Sequence, residues 1–132
     1  MNGSMTKLTS FKIFVLDHDA ALAFYTDKLG FVVAEDKRLG DYRWLVVRAP
    51  DGEVGLSLDL ARTDEERALV GRQAARQPLF GLSTADCLRD YRELKARGVT
   101  FDGEPHVRPY GTGVMLEDLY GNRIYLNQEP SV

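Results

Sequence analysis

Gly30 and Gly98 stand 68 residues apart, and each closes an amphipathic stretch before a short β-prone run. Gly52 and Gly121, each inside a turn-forming tripeptide (Pro50-Asp51-Gly52 and Tyr120-Gly121-Asn122), stand 69 apart. Two independent punctuation marks therefore agree on the repeat length within one residue. Self-similarity at a fixed period marks a duplicated architecture, so the chain must fold as two like halves.

In the first half, Phe11 to Val15 suits a strand, being short, apolar and β-prone. Asp17-His18-Asp19 offers N-cap side chains for a helix from about Ala20 to Lys28, with Leu22, Tyr25 and Leu29 as its apolar stripe. Gly30 ends it. Strands are expected at Phe31–Ala34, Trp44–Arg48 and, after the Asp-Gly turn, Val54–Asp59. The second half repeats the order. A strand at Leu79–Ser83 precedes a helix capped by Thr84 to Asp86 and reaching about Arg97, with Leu88, Tyr91 and Leu94 as its stripe. Strands at Val99–Phe101, Val114–Glu117 and Arg123–Asn127 complete it. The expected class is α+β, two βαβββ modules (about 8–60 and 78–128) forming a curled mixed sheet with a concave ligand cleft, in a single domain over 5–129. The polar segment 61–77 carries a capping box, Thr63 to Glu66, and a helix at about Asp64–Gly71. It serves either as a connector or as a lid on one mouth of a pocket.

Composition narrows the function classes. A hydrophobic share of 44% and a charged share of 28% are ordinary for a globular chain of 132 residues. Seventeen Lys and Arg against twenty Asp and Glu leave a net charge of −3, and the basic residues (Lys37–Arg38, Arg72, Arg76, Arg89, Arg92, Lys95, Arg97) are scattered. Nucleic-acid backbones need them clustered on one face, so no nucleic-acid partner is expected. No apolar run approaches the roughly 18 residues that span a bilayer, so no membrane partner is expected either. Met1 to Met5 lacks the basic and apolar regions of a signal peptide and reads as an added leader with Met5 as the natural start; the expected location is cytoplasmic. Cys87 is the only cysteine, which excludes an intrachain disulfide and a Cys-based zinc cluster.

The repeated βαβββ plan, with LDHDAALAFYTDKLGF early and DLYGNRIYLNQ late, resembles the vicinal oxygen chelate superfamily. Glyoxalase I, extradiol dioxygenases, fosfomycin-modifying enzymes and bleomycin-resistance proteins belong to it. Phe24-Tyr25 followed by Leu29-Gly30-Phe31 is close to that family's first-helix signature. Tyr110-Gly111-Thr112, Asp118 and Gly121-Asn122 match a pattern near its end, so the likeness runs from Leu8 to Gln128. The resemblance implies metal ligands at Ser10, Ser57, Leu79 and Tyr125. None is a conventional ligand for a divalent metal, so no metal and no cofactor is expected. His18, in a turn, and His106, in a loop, form no pair at ligating spacing and read as exposed turn histidines.

The same four places set the register, because strand side chains alternate faces. Lys12 and Phe14, Ser57 and Asp59, and Arg123 and Tyr125 then line the cleft, with Gly55, Gly81, Ser83 and Asn127 beside them. Trp44 and Arg48, with Val46, and Met115 with Glu117 join them on less direct register arguments. Lys12–Asp59 and Arg123–Glu117 are expected either to contact ligand or to neutralise each other. Cys87 sits where a helix dipole activates a thiol, or else is a small buried hydrophobe. Tyr110 with Gly111-Thr112-Gly113 reads as a flexible lip.

Three functions fit. The first is a metal-free small-molecule binder of the glyoxalase/bleomycin-resistance type, sequestering a partly aromatic neutral or cationic compound and assembled as a homodimer. The second is a lyase or isomerase using side-chain acid–base chemistry, with Glu117, Asp59 or Tyr125 as candidates. The third is a metal-dependent glyoxalase-like enzyme with non-standard ligands. No catalytic residue is assigned.

Overall fold

The computed structural model describes residues 5–130, so the segment expected to be an added leader, residues 1–4, lies outside the described residues. The chain divides into two units between Ala61 and Arg62, which places nearly all of the 61–77 segment with the second.

The first unit runs β1 (Ser10–Val15), α1 (His18–Ala23), β2 (Val32–Leu39), β3 (Tyr42–Arg48) and β4 (Gly55–Leu60). Its strands lie in the order β1-β4-β3-β2, with β1 parallel to β4 and the other pairs antiparallel. The second unit opens with α2 (Asp64–Leu69) and continues with β5 (Pro78–Ser83), α3 (Cys87–Ala96), β6 (Thr100–Arg108), β7 (Gly111–Glu117) and β8 (Arg123–Gln128). Its order β5-β8-β7-β6, again with the first strand parallel to the last, repeats the topology of the first. The fold is α+β, two four-stranded mixed sheets, neither closed on itself. Gly30 and Gly98 both take positive φ at the helix ends, a conformation that costs glycine nothing.

Alternation places the cores. Ile13 and Val15 are buried, while Lys12 and Phe14 between them are more open. Val114 and Leu116 on β7, and Ile124 and Leu126 on β8, fill the second core, and Met115, Glu117, Arg123 and Tyr125 emerge between them. β4 departs from this pattern: Gly55 to Asp59 are buried on both faces.

Several local expectations need correction. The first helix is capped by Asp17, whose Oδ1 accepts from the Ala20 N–H at 2.9 Å, but it widens into a π-turn over Phe24–Lys28. That widening rotates its buried stripe from Leu22/Tyr25/Leu29 to Ala21, Phe24 and Tyr25, with Tyr25 packed 5.4 Å from Phe24 and 5.6 Å from Phe31. On α3, capped by Asp86, Cys87 and Leu94 are buried and Leu88 is exposed. β2 and β6 both run well past their expected ends, so His106 lies in a strand opposite Gly113 and not in a loop. Gly111-Thr112-Gly113 likewise belongs to β7. A Cβ at Gly113 would collide with the Tyr125 hydroxyl, so this glycine seats the ring and is no free lip.

Candidate functional site

On the first sheet, the in-register pairs Lys12↔Ser57 and Phe14↔Asp59 bring four of the expected residues together. Lys12 Nζ lies 3.2 Å from Asp59 Oδ2 and 5.8 Å from the centre of the Phe14 ring. Ser57 and Asp59 are almost wholly buried, whereas the Lys12 side chain is half exposed. The second oxygen of Asp59 accepts from the Tyr42 hydroxyl at 3.1 Å.

Tyr42 was not anticipated, although it stands two residues before Trp44 and therefore on the same face of β3. Its ring centre lies 6.5 Å from that of Trp44, with the planes inclined by 32°. The indole N–H donates to Glu35 Oε2 at 2.8 Å, and Glu35 Oε1 meets Lys37 Nζ at 3.3 Å. The Trp44 hydrogen bond, then Lys37, hold the Glu35 carboxyl below its ordinary range. A half-buried indole with a fixed partner presents its face in one orientation.

Behind this face, Arg43 forks onto Asp36 through Nε and Nη2, both at 2.9 Å, and reaches Asp19 through Nη1 at 3.0 Å. The bidentate geometry raises the Arg43 pKa further, and it ties α1 to β2 and β3. His18 is not an exposed turn residue. Its Nε2 is buried with no hydrogen-bond partner, and burial, then the Arg43 charge, push its pKa down.

Arg48 lies apart from this cluster. Its Nη1 donates to the carbonyls of Ala49, Pro50 and Gly52, so it clamps the turn before β4. In the second unit Met115 faces Tyr125 and Glu117 faces Arg123 across β7 and β8. The expected Arg123–Glu117 ion pair does not form; Arg123 Nη1 goes to Asp102 Oδ2 at 3.2 Å. Asp118 fixes the turn between these strands, its carboxylate accepting from the Tyr120 and Asn122 N–H groups and the Asn122 side-chain amide. Cys87 is fully buried, with its N–H donated to Gln128 Oε1 at 2.8 Å. Burial, then Asp90 and Asp86, push its thiol pKa up, against the lowering that a helix N-terminus alone would give.

The model of the Glyoxalase/Bleomycin resistance protein/Dioxygenase superfamily matches residues 7–126. The chain belongs to that superfamily. Among curated proteins it is 35% identical to YurT of Bacillus subtilis (strain 168), over 93% of this chain and 99% of that one. Among solved structures it is similar to UcmS2, at 35% identity and a TM-score of 0.82, covering 94% of this chain and 98% of that one. It is also similar to TnmS3, an antibiotic binding protein from Streptomyces sp. CB03234, at 29% identity and a TM-score of 0.78, covering 96% and 98%.

The places at which the resemblance leads one to expect metal ligands hold Ser10 and Ser57 in the first unit and Leu79 and Tyr125 in the second. Two aliphatic hydroxyls, an alkyl group and a phenol do not fit a divalent cation, which takes imidazole, thiolate or carboxylate. Among the described residues no group of three or more His, Cys, Asp or Glu is gathered to replace them.

Proposed function

We propose that this superfamily member binds a small, partly aromatic, neutral or cationic molecule without a metal, sequestering it. The observation that carries this reading is the Lys12–Asp59–Tyr42–Trp44 arrangement on the first sheet. Its two aromatic rings are held by polar partners, so little side-chain freedom is lost when a planar ligand stacks on them. Lys12 with Asp59, and Lys37 with Glu35, neutralise each other in pairs, so the face carries little net charge with which to attract an anion. Phe14 and Ser57 adjoin this face, and Met115 with Tyr125 offer a second apolar and aromatic surface in the second unit. The antibiotic-binding role of TnmS3 supports the same reading. Acid–base catalysis by Glu117, Asp59 or Tyr125 is the alternative, and for Asp59 it is disfavoured because both of its carboxylate oxygens are engaged.

The protein is proposed to act in the cytoplasm as a homodimer. The test uses Trp44, the only tryptophan. Titration with a panel of neutral and cationic planar compounds should quench or shift its emission saturably for at least one of them. Calorimetry should show the same compound binding more weakly to Trp44→Ala. A panel that leaves the emission unchanged, or a hit whose affinity ignores Trp44→Ala, would remove this face from the function.

A further inference from the structure

The segment after α2, without regular structure of its own, folds back onto the β7–β8 turn. Gly71, at φ +75, lies so close to Tyr120 that a Cβ there would collide with its carbonyl oxygen. Only glycine allows both that conformation and that approach. Beside this contact lies an open hollow of about 270 Å³ within the second unit, lined by Arg72, Arg76, Glu117, Gly121 and Arg123. Three arginines drawn from residues 72 to 123 therefore line one hollow with a single acidic residue.

Their states of engagement differ. Arg123 is mostly buried and held by Asp102 at 3.2 Å. Arg72 and Arg76 are exposed, and neither side chain has a hydrogen bond or ion pair among the described residues. Glu117 also makes none, because its cross-strand neighbour Arg123 turns to Asp102. Two fixed glycine-lined turns thus present two uncommitted guanidinium groups and a third, anchored one. Convergent arginines in a hollow are suited to oxyanions, whose paired oxygens match the planar donor fork.

We infer that this cavity is a binding site for an oxyanion group, a phosphate or a carboxylate, carried by a small molecule. Arg72 and Arg76 supply the free donors, Arg123 the anchored wall, and Glu117 accepts from a hydroxyl beside the anionic group. This site lies within the second unit and is independent of the Trp44 reading. Its preference is opposite in sign to that of the first sheet's face.

The test is calorimetric titration of the intact protein at constant ionic strength with inorganic pyrophosphate, and separately with citrate, so that the two arms distinguish phosphate from carboxylate. Saturable binding in either arm is expected, weakened about tenfold or more by Arg72→Gln and by Arg76→Gln, each of which loses a charged hydrogen bond. Both positions are exposed, so these variants retain the fold. Glu117→Gln should strengthen binding by removing a like charge, and Trp44→Ala should leave it unchanged. Absence of saturable binding in both arms would overturn the inference, and so would affinities indifferent to Arg72→Gln and Arg76→Gln.

Discussion

Lys12 and Asp59 meet at 3.2 Å across the parallel β1–β4 pair, but from unequal environments. The aspartate side chain is 9% exposed and the lysine 54%. The lysine gains little from the contact, because water already satisfies it, whereas the carboxylate depends on its partners. Lys12→Ala should therefore cost about 1–3 kcal/mol, because it leaves a buried carboxylate without its counter-charge. Asp59→Asn, which removes that buried charge and keeps an acceptor for the Tyr42 hydroxyl, should cost less. Urea denaturation of the two variants checks the order, and an Asp59→Asn variant less stable than Lys12→Ala would refute it.

Trp44 and Leu58 provide a contrast inside one unit. Leu58 is fully buried and its truncation to Ala should leave a cavity costing about 2–5 kcal/mol. Trp44 is half-buried with its indole N–H on a side chain, so Trp44→Ala should melt later than Leu58→Ala despite removing more atoms. Glu35→Ala should disturb Trp44 emission with little loss of stability, since it frees the indole N–H. If Trp44→Ala melts as early as Leu58→Ala, the indole belongs to the core and not to a binding face.

Edge strands carry the third prediction. β2 ends the first sheet with Val32, Val33 and Leu39 exposed, and β6 ends the second with Val107 exposed. Unpaired edges bearing apolar side chains are usually covered, and an isologous dimer covers the same patch twice. Sedimentation velocity at micromolar concentration should give twice the chain mass, and Val33→Lys with Leu39→Lys should shift it toward one. A single chain mass for the parent would reject the dimer.

The duplicated plan was legible because punctuation by glycine and alternation along strands are local properties. Two strands run longer than their residues suggest, for physical reasons. Glu35 to Arg38 looks like a solvated loop, yet it forms the edge of a sheet, where charges are tolerated and cross-strand partners such as Arg43 satisfy them. Asp102-Gly103-Glu104-Pro105 carries two strand breakers, which an edge strand absorbs where its register shifts between Asp102 and His106. Losing the end of β2 hid Glu35, and with it the partner of Trp44. Lys12–Asp59 was anticipated because both residues follow from one register. Arg72 and Arg76 were not linked to Arg123, since an irregular segment has no period from which to read a direction.

Cys87 should behave as a buried hydrophobe. With its thiol pKa raised by burial and by Asp90 and Asp86, the native protein should resist iodoacetamide at pH 8 and react only at the rate at which it opens. Cys87→Ala should fold with a modest loss. Cys87→Ser should cost about 1–3 kcal/mol, as an unpartnered hydroxyl takes the place of sulfur. Rapid labelling of the native protein would contradict this and return the thiol to the list of candidate nucleophiles.

His18 makes stability depend on pH in a stated direction. Its pKa is lowered from 6.5, first by burial and then by Arg43, with Arg38 adding to this; Asp59 and a hydrogen bond with the Leu58 backbone act the other way. The folded state therefore binds the proton more weakly than the unfolded chain does. Stability from this group is fully present above pH 6.5, declines as the pH falls below that value, and is lost once the pH has passed the lower folded pKa. The neighbouring carboxylates Asp19 and Asp36 both bind the Arg43 guanidinium. His18→Gln removes the titration while keeping a polar side chain of similar size. Urea midpoints measured between pH 7.5 and 5.5 should fall more steeply for the parent than for His18→Gln, the two curves converging toward acid. Parallel curves across that range would show that the buried Nε2 accepts a proton in the folded state as readily as in the unfolded chain.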